Sequence, residues 1–294
     1  MPHSQLVPTI RRRRLAQTLV QLRKGAGLSS EDAAAAMGWS NPKMSKIENV
    51  RQQIQPAEVH ELLKAYGYKE NDEKHAEVFT ALENLARDAR KKPGWWQTYS
   101  GVVSPSYADY ISLEEDAQLI CEWTPLVLPG LLQTLSFARE TIAGTARSRT
   151  PQEVQALAEV RQARQAVLTR SENPLKLWAI IHEAALCTRF ERRPATMRDQ
   201  LRKLLEVSEL PNVTIQVMPT DATVHPGILG GFSLVSFPGP TPDVVLLENL
   251  SGATYVEGDG THPFADAVKR IHAAALSEED SLARIATLEE GHRK

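Results

Sequence analysis

The sequence predicts an α+β protein in which an all-α N-terminal domain precedes a mixed α/β domain with an antiparallel sheet. Within residues 1–92, apolar residues recur at the three- and four-residue spacing of amphipathic helices. Later segments such as "NVTIQVMP" alternate in the manner of strands. Pro93-Gly94 breaks the helical pattern between the two parts. We therefore expect two domains, residues 1–92 and residues 93–294.

The N-terminal part begins with two predicted helices. Residues 11–24 carry a leucine stripe, and Gly25 and Gly27 follow it as terminators. Ser29 is the expected N-cap of the second helix, whose sequence "SEDAAAAM" has a high helix propensity. Asp32 follows Ser29 by three residues, which is the spacing of a capping box.

Three further helices complete this part. Gly38 ends the second helix at a position that tolerates a left-handed backbone, and Ser40 caps the third. Pro42 falls in the first turn of the third helix, where a missing N–H costs nothing. A fourth helix is expected from Pro56 to Tyr66, and a longer one over residues 72–91.

The second part mixes strands with helices. Helices are predicted at residues 152–170, 195–208, 262–275 and 278–290. "LKLWAIIHEAAL" fits either a buried strand or a strand that leads into a helix, because periodicity does not separate the two. "AQLICEWTPLVLPGLLQT" fits a strand, a Pro129-Gly130 turn and a short helix. Further strands are expected at "NVTIQVMP", "GGFSLVSF", "DVVLLEN" and "ATYVEG".

The composition is typical of a soluble globular protein, and its charge is unevenly distributed. The 294 residues are 42% hydrophobic and 24% charged. The net charge of −2 divides into +5 for residues 1–92 and −7 for residues 93–294, which indicates a polyanionic partner for the first domain only. No signal peptide or membrane span is recognisable, so we expect a cytoplasmic, nucleoid-associated protein. Cys121 and Cys187 are expected to be buried thiols, because they form no CxxC pair and have no zinc spacing.

The second and third helices have the layout of a helix-turn-helix. The tripeptide "GWS" joins them within a set of short helices. In this motif the second helix of the pair enters the major groove, and its N-terminal residues reach base edges. Met44 and Ile47 would face the core. Asn41, Lys43 and Lys46 would then lie on the outer face, where Asn can bond adenine and Lys can reach guanine or phosphate. The sequence therefore predicts binding to double-stranded DNA.

Polar residues around this motif complete the predicted DNA-binding surface. Hydroxyl groups and helix N-termini can bind phosphate oxygens. The basic run Arg11–Arg14 either adds electrostatic contact or is a solvated helix start. Arg23 and Glu48 are assigned a structural role, as a pair that joins the ends of the first and third helices. The predicted DNA-binding residues are Ser29, Ser30, Ser40, Asn41, Lys43, Ser45, Lys46 and Arg51.

Residues 10–67 resemble the Xre/Cro-type helix-turn-helix repressors, through the segment "LRKGAGLSSEDAAAAMGWSNPKMSKIEN". The resemblance implies a lambda-repressor-like fold, with the family's Arg–Glu helix pair at Arg23 and Glu48. It also places the family's leading base-contact position at Asn41. Two positions depart from the family pattern. Ser30 stands where a Gln often clamps phosphate, and Val50 stands where a Gly usually follows the third helix.

The rest of the chain is similar to an actinobacterial group of WhiJ-like regulators, which are often described as antitoxin-like. The similarity lies in the ordered segments "SLEEDAQLICEWTPLVLPGLLQT", "RQARQAVL", "HPGILGGFSLVSF" and "VVLLENLSGATYVE". The genes of this group tend to lie beside a gene for a small partner protein. The resemblance therefore implies association with such a partner, through a C-terminal domain of poorly defined function.

Other suggestive motifs have simpler interpretations. "IIHEAAL" lacks the second His of a zinc-protease helix, so His182 is expected in the core or at the surface. "HPGILGG" and "EGDG" fit turns, although a pocket role for His225 stays open. Glu114, Glu115 and Glu248 could form an acidic site. The alternative is that they lie in ion pairs, in a helix cap or at the surface. Core or interdomain packing, rather than ligand stacking, is expected for Trp95, Trp96 and Trp123.

These observations lead to three functional hypotheses. The first is a sequence-specific DNA-binding transcriptional regulator that acts as a homodimer and whose C-terminal domain binds a small protein or a ligand. The second is an antitoxin-like protein that neutralises a small neighbouring protein and autoregulates its operon. The third is an enzyme, which a cavity lined by carboxylates or by His225 would favour. Because no motif supports the third, we expect no enzymatic activity, no cofactor and no metal site.

Overall fold

A computed structural model describes residues 9–90, 94–145, 148–190, 193–249 and 252–292. Pro93, at the expected domain boundary, lies outside these ranges. The chain forms two compact units. The first extends to Gly94 and includes Phe237–Pro242, and the second contains Trp95–Ser236 and Asp243–Lys294. None of the helices in the described ranges is long and apolar enough to cross a membrane.

Over residues 9–90 the first unit is a bundle of five helices, which confirms the all-α prediction for this part. The helices are α1 (Ile10–Gly25), α2 (Ser30–Ala36), α3 (Asn41–Glu48), α4 (Pro56–Ala65) and α5 (Glu73–Asp88). All five contribute to one apolar core, which holds α2 and α3 in place although helices of this length are unstable alone. Central buried members of the core are Leu19, Ala34, Met44, Leu62 and Leu82.

Local sequence signals determine the ends of α2 and α3. Ser29 Oγ accepts a hydrogen bond from the Asp32 N–H, and the Asp32 carboxylate accepts one from the Ser29 N–H, so the capping box is complete. Gly38 has a φ of 63°, a left-handed conformation that lets the chain turn between the two helices. Pro42 then occupies the first turn of α3.

The second unit is built on six strands that form one mixed sheet. The strands are β1 (Leu119–Thr124), β2 (Lys176–His182), β3 (Val213–Met218), β4 (Phe232–Ser236), β5 (Val244–Asn249) and β6 (Gly252–Glu257). Their order is β3-β2-β1-β4-β5-β6. β2 runs parallel to both β1 and β3, whereas the β1–β4, β4–β5 and β5–β6 pairs are antiparallel.

Seven helices accompany this sheet within the described part of the second unit. They are α6 (Pro105–Asp116), α7 (Leu135–Thr145), α8 (Pro151–Arg164), α9 (Glu183–Leu186), α10 (Ala195–Val207), α11 (His262–Ala274) and α12 (Glu278–Gly291). The sequence pattern missed α6, because buried Ser112 and Glu114 interrupt its apolar stripe. "LKLWAIIHEAAL" is a strand that leads into a helix, since α9 follows β2 directly.

The α+β class is therefore confirmed, but the expectation of an antiparallel sheet is wrong for β1, β2 and β3. Parallel neighbours require a crossover connection, and helices supply it here. α7 and α8 lie between β1 and β2 in the chain, and α10 lies between β2 and β3. Alternation within a strand reveals which residues face the core, but it carries no information about the direction of the neighbouring strand.

One face of the sheet packs against α11. Cys121 and Trp123 of β1 lie on this face with Ile180 of β2, and they join an apolar cluster with Val268 and Ile271. Alternate residues of the same strands point to the opposite face.

The two cysteines have different environments. Cys121 is buried in the apolar cluster, and its burial raises the pKa of the thiol to about 11. Cys187, the C-cap residue of the short helix α9, is exposed. The expectation that both thiols are buried is therefore wrong for Cys187.

Candidate nucleic-acid interface

α3 presents a polar face to solvent. Met44 and Ile47 are buried in the core of the first unit, which determines the rotation of the helix about its axis. Asn41, Ser45 and Lys46 are exposed. Because residues four apart lie on the same side of a helix, Asn41 and Ser45 are in line, and Lys46 lies beside them. This face has the residue types that contact base edges and phosphates.

The N-terminus of α3 adds a hydroxyl group to this face. Ser40 has an extended backbone, is exposed, and makes no side-chain capping hydrogen bond. Its carbonyl accepts hydrogen bonds from the N–H groups of Lys43 and Met44. The Ser40 hydroxyl therefore lies at the start of the helix, where the macrodipole favours a phosphate.

Lys43 makes contacts within the first unit. Its Nζ lies 2.7 Å from Glu58 Oε1 of α4. The same atom lies 3.7 Å from the centre of the Trp39 ring, in a cation–π contact. Lys43 thus links α3 to α4 and to the turn before α3, and contact with DNA would compete with the Glu58 ion pair.

The N-terminus of α2 is acidic. The Ser29 hydroxyl donates to Asp32 Oδ2 at 2.6 Å, and these hydrogen bonds lower the pKa of the Asp32 carboxyl. Glu31 and Asp32 place two negative charges in the first turn of α2. Like charges repel, so a phosphate is less favourable at Ser29 and Ser30 than at the start of α3.

The chain leaves α3 through a residue in the left-handed region. Val50 has a φ of 59°. Its N–H donates to the Ile47 carbonyl, and the Arg51 N–H donates to the Lys46 carbonyl at 2.7 Å. This is a Schellman motif, in which glycine is favoured at the position of Val50. Val50 adopts this left-handed conformation although it has a Cβ, and Arg51 after it is exposed.

An ion pair joins α1 to α3. Arg23 Nε and Nη2 donate to Glu48 Oε1 and Oε2 at 2.6 and 3.1 Å. Arg23 Nη1 donates to the Leu28 carbonyl at 2.7 Å, in the turn before α2. The two side chains are only 9% and 12% exposed. The pair therefore holds the end of α3, the end of α1 and the α1–α2 turn together.

The basic run at the start of α1 is only partly available to a polyanion. Arg14 is buried, whereas Arg11, Arg12 and Arg13 are half-buried. Any electrostatic contact of this run with DNA would therefore involve Arg11–Arg13.

Two histidines of the second unit, His182 and His225, act as caps. His182 Nδ1 accepts a hydrogen bond from the Ala184 N–H, and His225 Nδ1 accepts one from the Gly227 N–H. The Trp123 ring lies edge-on to the His225 ring at 5.3 Å and donates to the Gly227 carbonyl. Burial lowers the pKa of His225, with a smaller contribution from His182. These contacts account for both histidines structurally.

The three acidic candidates have different environments. Glu114 is fully buried and forms an ion pair with Arg164 of α8. Glu115 is half-buried, whereas Glu248 is exposed and lines a cleft together with Glu122. Within the described ranges, no group of three or more His, Cys, Asp or Glu side chains is arranged to hold a metal ion. Of the tryptophans, Trp96 and Trp123 are buried and Trp95 is exposed.

Comparison with known families finds two matches in the chain. Residues 107–287 match a domain of unknown function, DUF5753. The chain belongs to the DUF5753 family. Residues 14–76 match a helix-turn-helix domain, and this segment of the DUF5753 chain includes all of α2 and α3. The predicted helix-turn-helix is confirmed, whereas the resemblance to WhiJ-like and antitoxin-like proteins stays a prediction. No curated protein and no solved structure is detectably similar to the chain.

Replacement of Arg23 by methionine should strongly destabilise the first unit. R23M leaves the Glu48 carboxylate almost buried without a partner, which costs about 3–5 kcal/mol. Urea titration of the full chain, followed by hydrogen exchange of α1 and α3 peptides, measures this loss. K64M breaks the exposed Lys64–Glu61 pair and should cost less than about 1 kcal/mol. Equal losses in the two variants would contradict the structural role of Arg23.

Replacement of Val50 by glycine should stabilise the first unit. A left-handed conformation costs a residue with a Cβ about 1–2 kcal/mol, and the extra freedom of glycine in the unfolded chain offsets about 0.4–1 kcal/mol. We expect V50G to raise the free energy of unfolding by about 0.5–1 kcal/mol, measured in the same titration. V50A keeps a Cβ and should show no such gain. A V50G variant that is less stable than V50A would contradict this explanation.

Proposed function

We propose that this protein is a sequence-specific DNA-binding transcriptional regulator that reads the major groove with the outer face of α3. The helix-turn-helix match supports a DNA-binding regulator. The observation that carries the specific proposal is the rotation of α3. Burial of Met44 and Ile47 leaves Asn41, Ser45 and Lys46 exposed together, as a recognition helix requires.

The exposed residues suit different parts of this task. Asn41, in the first turn of α3, is proposed to bond an adenine edge through its amide. Lys46 is proposed to bind phosphate, with Ser40 and Ser45 adding hydroxyl contacts and Arg51 adding charge beside the helix. Ser30, Ser29 and Lys43 are proposed as secondary contacts, because Ser29 and Lys43 already have partners within the unit.

The second unit is proposed to receive the regulatory signal, as a ligand or a small protein, and the regulator is proposed to act as a homodimer. A two-fold dimer would place two copies of α3 on half-sites about 34–36 Å apart. A protein partner is supported by large apolar side chains that the second unit leaves exposed, since apolar patches often mark interfaces. These side chains are Val224, Ile228 and Leu229.

The antitoxin-like alternative gives partner binding the main role and DNA binding an autoregulatory one. It is supported by the resemblance of the C-terminal segments to the WhiJ-like group. Co-expression with the product of the neighbouring gene separates the two functions. A stable complex that changes operator affinity favours the antitoxin, whereas operator binding that responds to no such product favours the regulator alone.

Replacement of Asn41 by alanine should reduce base discrimination at one position of the operator. N41A removes a bidentate contact worth about 1–3 kcal/mol between the preferred base pair and its alternatives. Genome-wide mapping of bound sites supplies the operator, and fluorescence anisotropy with single-base substitutions measures the discrimination. N71A, an exposed asparagine between α4 and α5, is the matched control. An unchanged preference at every position in N41A would refute the base contact.

Replacement of Lys46 by alanine should weaken binding to operator and to unrelated DNA by the same factor. Loss of one phosphate contact lowers the slope of log affinity against log salt by about 1. Titrations over a series of salt concentrations measure this slope. K269A removes an exposed lysine of α11 and should leave the slope unchanged. If K46A behaves as K269A does, Lys46 does not contact phosphate.

A further inference from the structure

The second unit contains a cleft of about 560 Å³ on the face of the sheet opposite to α11. Its floor crosses three strands. Glu122 of β1 pairs with Ser233 of β4, which pairs with Leu246 of β5. Glu248 follows Leu246 by two residues and therefore lies on the same face. The walls come from α6, α7, α8 and the segment after β1, and they include Tyr107, Tyr110, Thr141, Arg161, Leu126 and Val127.

The arginines beside the cleft are occupied by other partners. Arg164 Nε donates to Glu114 Oε2 at 2.6 Å, and Arg164 Nη1 donates to the Tyr107 hydroxyl at 2.6 Å. Arg161 Nη1 donates to Gln133 Oε1 at 2.8 Å. The Glu114 carboxylate therefore neutralises the charge of Arg164. The partner of Arg161 is a neutral amide, so Arg161 retains its positive charge beside the cleft.

Two carboxylates of the cleft lack such partners. In the described part of the chain, neither Glu122 nor Glu248 accepts a hydrogen bond from another residue, although both line the cleft. Burial raises the pKa of the Glu122 carboxyl to about 8, and the nearby Glu114 and Glu248 carboxylates add to this effect. The cleft thus presents two carboxyl groups without a hydrogen-bond partner, Glu248 and Glu122, beside the arginine Arg161. Without a ligand, Glu122 is largely protonated below about pH 8.

A largely buried tyrosine also lines this cleft. Tyr110 is only 7% exposed, lines the cleft, and has no hydrogen bond to any described residue. Burial and the nearby carboxylates raise the pKa of this phenol, so it stays protonated and can donate or accept.

The rim of the cleft is apolar. Leu126 and Val127, in the segment that follows β1, are 78% and 43% exposed. Both residues line the cleft. A ligand that contacts the carboxylates of the floor would therefore meet apolar surface at the entrance.

We propose that this cleft binds an organic cation, an ammonium or guanidinium group on an apolar body. The cation lies between Glu122 and Glu248, within reach of the Tyr110 hydroxyl, and the apolar part lies against Leu126 and Val127. The cation is carried either by a free small molecule or by a Lys or Arg side chain of a partner protein. This inference identifies the input of the proposed regulator, but the binding event itself does not depend on DNA recognition.

Binding of a cation has a defined pH dependence. The charged or titratable groups that face Glu122 are Tyr110 and Glu114 of α6, Arg161 and Arg164 of α8, and Glu248 of β5. A cation favours the ionised form of Glu122, so complex formation releases its proton. Because this carboxyl titrates at about 8, affinity should rise as the pH increases from about 6 to about 8 and then level off.

The test uses the full chain and four probes. Hexylammonium and agmatine, a guanidinium compound with an alkyl body, represent free cations. Hexanol is the neutral control, and the peptide acetyl-Leu-Lys-Leu-amide represents a partner side chain. NMR titration should show hexylammonium or the lysine peptide binding at least about tenfold more tightly than hexanol, which corresponds to about 1.4 kcal/mol. Binding of hexylammonium or agmatine alone identifies a small molecule as the source, and binding of the peptide alone identifies a protein.

Variants test whether the cation binds at the proposed residues. E122Q should weaken cation binding at least tenfold and abolish its pH dependence, and E248Q, an exposed position, should weaken it several-fold. Y110F should weaken binding several-fold without changing the pH dependence. E159Q removes an exposed carboxylate of α8 outside the cleft and should bind as the unmodified chain does. Thermal unfolding verifies that each variant is folded.

Four results would overturn the proposal. The first two are a lack of saturable binding by every cation and an equal affinity for hexylammonium and hexanol. The third is unchanged binding in both E122Q and E248Q. The fourth is chemical conversion of the probe, which would indicate an enzyme. The variant N41A tests cation binding independently of DNA binding. It should bind the cation whether or not it still recognises the operator.

Discussion

The burial of Met44 and Ile47 is the constraint on which the proposed DNA-binding surface depends. α3 has eight residues, and a helix of this length is unstable in isolation. Packing in the shared core, mainly against α1 and α2, therefore both stabilises α3 and determines its rotation. The Arg23–Glu48 pair holds the end of α3 against α1. Rotation and anchorage of α3 thus come from the same packing.

In the second unit, a buried ion pair determines which charged groups remain available in the cleft. Glu114 is fully buried and would be very unfavourable there without the Arg164 guanidinium. Once these two charges neutralise each other, Glu122 and Glu248 remain on the floor of the cleft without an arginine partner. The availability of these two carboxyl groups therefore follows from the pairing of Arg164 with Glu114, rather than from the total number of acidic residues.

Two positions near α3 show how tertiary contacts modify a recognisable motif. Lys43 has the residue type of a DNA contact, yet Glu58 and Trp39 hold it within the first unit. Val50 occupies a position at which glycine is favoured, yet the Schellman hydrogen bonds keep it left-handed. In both cases the helix-turn-helix geometry is retained. Tertiary contacts limit the access of Lys43 to DNA, and hydrogen bonds hold Val50 in a strained conformation.

The sequence by itself determined the helices of the first unit, the caps at Ser29 and Gly38 and the inward position of Met44, because these depend on residues within a few positions of one another. It also indicated strands, through alternation in "NVTIQVMP" and through the turn residues between "GGFSLVSF", "DVVLLEN" and "ATYVEG". Tertiary structure decided the parallel pairing of β1, β2 and β3, the partner of Lys43, and the meeting of Glu122 with Glu248 in one cleft. These features join residues far apart in the chain, and periodicity describes only which way a side chain points, not what it meets.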